Sequence, residues 1–173
     1  MIVDVHTHGP THKDKVPASE MKTYSGWHSG PPVNTTNSWA DYELGMEAAD
    51  VAFVFNIHVP DTDRFVGTPD DKDRINESIY EFSQAHPHRI GFFSVDPNRH
   101  DWTEEFDRCV ALGMKGMKLG ANYQRFDPLS REALRLYARA EKHNLPIVFH
   151  TGTSPVREAP LLYSHPTVTD EVA

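Results

Sequence analysis

The chain has 173 residues, 38% of them apolar and 24% charged, the composition of an ordinary globular domain with a sizeable core. A net charge of -8 and a pI near 5.7, with no basic cluster, argue against nucleic acid as a partner. The central apolar run, residues 51–55, is far too short to cross a bilayer. A single cysteine, Cys109, excludes an intrachain disulfide and a cysteine-based zinc site, so histidine, present 11 times, must carry any soft-ligand chemistry. No secretory leader precedes the first strand pattern, and the expected location is the cytoplasm.

Residues 2–8 read as a strand, with Ile2, Val3 and Val5 as the β-branched bulk of a buried element and Gly9-Pro10 as its end. Alternation puts Asp4, His6 and His8 on one face, and both histidines at the carboxyl tip. Residues 9–38 are rich in Gly, Pro, Ser, Thr and Asn, too long for an idle connection. They are expected to form an active-site loop, with Trp27 and His28 as lid residues and His12 beside them.

Ser38 caps a predicted helix over residues 42–49, followed by an apolar strand over 51–57. Residues 70–86 form a second helix, with Ile75, Ile79 and Phe82 on one stripe and Pro87 as its stop. A strand over 89–95, a helix over 101–112 and a strand over 114–119 introduced by Gly113 come next. The last predicted pair is a helix over 129–143, ended by Asn144, and a strand over 146–150. Alternation of strand and helix implies a parallel sheet with right-handed crossovers.

His150 closes its strand as His8 closes the first, and a closed parallel barrel brings such tips to one mouth. His6, His8 and His150 are therefore the candidate ligands of a divalent metal, leaving an open position for water. Asp4 lies deeper on the first strand and is placed to accept a proton from a ligand imidazole. Lys118 ends the fourth predicted strand, where it either holds a substrate carboxylate, bridges metals as a carbamate, or snorkels from the rim. His58 follows the second predicted strand and is a weaker candidate for the mouth. Neither a Gly-x-Ser-x-Gly elbow nor a Gly-rich phosphate loop is present.

Four blocks, Asp4-Val5-His6-Thr7-His8, residues 89–97, residues 113–119 and residues 145–152, resemble the amidohydrolase superfamily. The likeness is to the amidohydrolase-related group that includes aminocarboxymuconate semialdehyde decarboxylase. The resemblance implies a (β/α)8 TIM-type barrel forming one domain over residues 1–173, with about five of its strands present. It also implies one metal ion, zinc in first place, on His6, His8 and His150, and an uncarbamylated Lys118. The family's further catalytic histidine and aspartate would fall beyond residue 173, in a barrel of about 250 residues. The expected activity is metal-dependent hydrolysis of a small amide, ester or lactone carrying an acidic group. The alternatives are non-oxidative decarboxylation of a small carboxylic acid, and a metal-binding fragment without turnover. Open edges on the first and fifth predicted strands are expected to favour self-association.

Overall fold

A computed structural model describes residues 1–10, 38–57, 75–153 and 159–173, together with the backbone of 23–24 and 33–34. Its framework is a curved parallel sheet in chain order. β1 (Val3–His8) pairs with β4 (Val51–Phe55), and β4 with β5 (Arg89–Gly91). β6 (Met117–Leu119) pairs with β7 (Ile147–Phe149). A single parallel bridge, Phe93 to Met117, joins the two groups, reinforced by Lys118 N–H donating to the Phe93 carbonyl at 2.8 Å. The result is a partial (β/α) barrel, as the alternation of patterns predicts.

The helices fill the outer layer. α1 (Trp39–Gly45) starts immediately after Ser38, whose hydroxyl accepts the Asp41 N–H while the Asp41 carboxylate accepts the Ser38 N–H. That reciprocal cap satisfies two donors at once, which explains why the helix begins three residues earlier than its apolar pattern suggests. α2 (Ile75–Ala85), α3 (Trp102–Ala111) and α5 (Arg131–Lys142) match their predicted stripes, and α2 buries Ile75, Ile79 and Phe82. Gly113 and Asn144, at φ 83° and 52°, take the left-handed turns that end α3 and α5.

The apolar core lies between sheet and helices, with Phe93, Phe106, Met117, Leu119, Phe126 and Leu136 all essentially inaccessible. On the other side of the sheet Phe53 stacks on Phe92 at 4.8 Å, and the Phe92 ring lies where a side chain at Gly116 would stand. Aromatic bulk thus fills the barrel interior below the strand tips.

Two expectations need correction. Ile2, Val3 and Val5 are 59%, 43% and 53% exposed rather than buried, because β1 is an edge strand with β4 as its only partner among the described residues. The long connection after β1 also contains a short antiparallel pair, β2 (Thr23–Tyr24) with β3 (Val33–Asn34), where only a loop is expected. Three elements escape the periodicity reading altogether. They are the one-turn α4 (Ala121–Gln124), a 3-10 turn (Leu161–Ser164) and α6 (Pro166–Val172). None is long enough to show a repeat, and α6 buries no residue.

Candidate active site

β1 delivers its two histidines as its alternation dictates. Thr7 points to the helix layer, where its hydroxyl donates to the Phe53 carbonyl at 2.6 Å and lies 2.7 Å from the Tyr42 hydroxyl. His6 and His8 therefore face the other way, with ring centroids 5.4 Å apart. Both rings rest against the buried Phe55, each at 5.2 Å. The same Phe55 ring lies 4.9 Å from the Lys118 ammonium, so one aromatic floor carries all three groups.

Lys118 does not snorkel. It is fully buried, and its Nζ lies 3.3 Å from His6 Nε2. Among the described residues no carboxylate pairs with it, and burial alone holds its pKa down to about 8. A buried cation raises the local potential, and the histidines respond. His6 is lowered by burial first and then by Lys118, with Asp4 pulling the other way. His8 is pushed down to about 4 by burial, then Lys118, then His6 and His150. By accessible surface both His6 and His8 are exposed, so the face they line is open to solvent.

His150 follows β7, and its N–H donates to the Leu119 carbonyl at 2.8 Å, tying the tip of β7 to the tip of β6. Burial and then Lys118 lower its pKa, while a hydrogen bond with the backbone at Thr153 raises it. Its Nε2 is buried without a hydrogen-bond partner. An orphaned imidazole nitrogen is a donor a divalent ion takes, and with His6 and His8 it makes up in kind, though not in the observed geometry, the ligand set of such a group. The grip is not already closed: among the described residues no three His, Cys, Asp or Glu side chains stand in a metal-holding array. His6 Nε2 is meanwhile turned to Lys118, and that contact must open for His6 to ligate.

Asp4 behaves differently from its expected role. Its carboxylate accepts the backbone N–H of His6 at 2.9 Å, at the irregular register between Asp4 and Thr7, and its charge also acts on the His6 imidazole. Trp27, His28, His12 and His58 lie outside the described residues. Sequence reasoning missed Phe55, the common floor, and Tyr123, whose ring lies 4.7 Å from that of His150. Gly120, immediately after β6, is the signal that could have exposed Tyr123. A Cβ there would stand 2.8 Å from Tyr123 Cδ2 and 3.0 Å from Ile57 Cδ1. A cleft of about 390 Å³ between α1 and α2, lined by Trp39, Glu43 and Phe82 among others, is not this site. Glu43 there is bound to Arg89 at the opposite, amino-terminal end of β5.

A parallel barrel wall with histidines and a buried lysine at its carboxyl tips is the arrangement of a barrel enzyme with its polar site at the strand ends. The Amidohydrolase family model matches residues 3–173, and the chain belongs to that family. No curated protein matches it. Among solved structures, 4-oxalomesaconate hydratase from Rhodopseudomonas palustris is similar, with 19% identity, TM-score 0.56, and coverage of 87% of this chain and 52% of that one. A Staphylococcus aureus structure described as an amidohydrolase gives 17% identity, TM-score 0.53, and coverage of 70% and 42%. An Acinetobacter baumannii structure described as a probable 2-pyrone-4,6-dicarboxylic acid hydrolase gives 13%, 0.49, and 87% and 49%. The chain thus spans about half the length of the solved structures it matches. Among the described residues no helix is long and apolar enough to cross a membrane.

Proposed function

We propose that this chain carries the metal- and acid-binding half of a hydrolase acting on a small ester, lactone or amide that bears a carboxylate. The observation that carries the reading is Lys118, a fully buried ammonium 3.3 Å from His6 Nε2 that pairs with no carboxylate among the described residues. A buried cation left unpaired is costly, and an acidic substrate is the partner that removes the cost. One of the similar structures, the oxalomesaconate hydratase, is named for a small acid, which agrees with this reading.

His6, His8 and His150 would hold one divalent ion, zinc in first place, and their lowered pKa values keep the imidazoles neutral for it. A bound ion would supply Lewis acidity toward the substrate carbonyl. Lys118 would bind the substrate carboxylate and fix which carbonyl is presented, and in doing so would release His6 Nε2. Phe55 closes the bottom of the site and keeps water from the charged groups.

The test is turnover of paired substrates, a small lactone or ester with and without a free carboxylate, by the zinc-loaded protein and by Lys118→Met. The proposal expects hydrolysis of the acidic substrate, with Lys118→Met raising its KM and leaving any turnover of the neutral analogue alone. Carbon dioxide release from a small carboxylic acid, without hydrolysis of either ester, would replace the reading with a decarboxylase.

A further inference from the structure

The second histidine tip is built with more apparatus than a metal ligand alone needs. Gly120, Ala121, Asn122 and Tyr123 turn sharply at the end of β6, and the buried Gln124 pins this turn to the sheet. Its amide oxygen accepts the Gly120 N–H at 2.9 Å, and its amide nitrogen donates to the Val95 carbonyl at 2.9 Å. Both bonds are buried, so the turn is fixed to the end of β6 and to the segment that follows β5. From this anchored turn Tyr123 extends to His150, its ring centroid 4.7 Å from the imidazole and the planes inclined by 51°. The close approach requires Gly120, since any Cβ there would press on Tyr123 and Ile57.

His150 is therefore held from two sides, by the Tyr123 ring and by a hydrogen bond with the backbone at Thr153, while its Nε2 is left buried and unpartnered. A ring free to rotate would turn such a nitrogen toward a donor or water, because an orphaned buried polar atom costs about 1–3 kcal/mol. The orphan persists because its surroundings fix the ring.

We infer that Tyr123 is a positioning residue, locking the His150 imidazole so that Nε2 is presented to the metal before the metal arrives. The inference rests on the metal-centre reading given above. Its aromatic ring does the work, so Tyr123→Phe should preserve the function and Tyr123→Leu should lose it. Gly120→Ala, which forces the tyrosine ring away without altering it, should act like Tyr123→Leu.

Two measurements on the whole chain test this. In the metal-free protein, the His150 ring protons, assigned by their absence in His150→Ala, should carry a ring-current displacement. That displacement should be kept in Tyr123→Phe and lost in Tyr123→Leu. Titration with Co²⁺ should then show affinity about tenfold weaker in Tyr123→Leu and Gly120→Ala, the low end of the about 10–100-fold effect of residues that orient ligands. Tyr123→Phe should stay near the parent, with the same cobalt absorption spectrum. Parental Co²⁺ affinity and spectrum in a folded Tyr123→Leu, while His150→Ala loses binding, would overturn the inference and leave the metal centre standing. Failure of the parent itself to bind Co²⁺ would remove the metal centre and the inference together.

Discussion

Replacing Lys118 by methionine removes the one completely buried charge among the described residues and keeps most of its volume. Burial lowers the pKa of this lysine from 10.5 to about 8, which at about 1.4 kcal/mol per pH unit sets the cost of keeping the ammonium inside at about 3 kcal/mol. That figure is already net of what the ammonium gains from the Phe55 ring and from His6. In the metal-free chain at pH 7 the methionine variant should therefore be more stable by up to about 3 kcal/mol. The pH dependence isolates the charge. Below about pH 8 lysine is protonated in both folded and unfolded chains, and the full cost stands. From there to the ordinary lysine value the unfolded chain binds more protons, so the parent gains stability with rising pH, and above it the cost has gone. Urea unfolding of parent and variant, each with chelator, at pH 7, 9 and 10.5 reads the difference directly. The parent should gain about 3 kcal/mol relative to the variant across that range. A variant that is less stable at pH 7 and shows the same pH profile as the parent would refute an unneutralised, buried ammonium at this position.

Three further outcomes follow from particular contacts. Thr7→Val should cost about 1–2 kcal/mol in thermal or urea unfolding, because it strips the hydroxyl that links the Phe53 carbonyl to the buried Tyr42, whereas an unchanged stability would mean the link is idle. The loss of metal affinity on acidification should be centred below the ordinary histidine value near pH 6.5, because burial and Lys118 lower all three imidazoles from it; calorimetric titration between pH 5 and 7 checks this, and a fall in affinity centred at or above 6.5 would contradict it. The exposed Ile2, Val3 and Val5 on the β1 edge should drive concentration-dependent self-association, which Val5→Lys should reduce in sedimentation velocity.

The parallel frame was legible because the helices carry local signals: Ser38 as a cap, Asn144 as a left-handed stop, and the stripe of Ile75, Ile79 and Phe82. The histidine pair was legible for the same local reason, since alternation within β1 needs no knowledge of neighbouring strands. What stayed hidden depends on long-range placement. The exposure of Val3 and Val5 is set by the absence of a second strand beside β1 among the described residues, not by their β-branched character. Whether Lys118 is buried or snorkels depends on Phe55 and on β1, 112 residues away from it at His6. The bond from the His6 N–H to the Asp4 carboxylate was not legible either, because it depends on the irregular register within β1. Tyr123 belongs to a single turn too short to show a period.

Metal content after exhaustive dialysis, measured on the parent, His6→Ala and His150→Ala, probes the site most directly. About one divalent transition ion per chain in the parent, with little in either variant, is the expected result for ligation by His6, His8 and His150. Parental metal content in both variants, or no retained metal in a folded parent supplied with zinc, would contradict it.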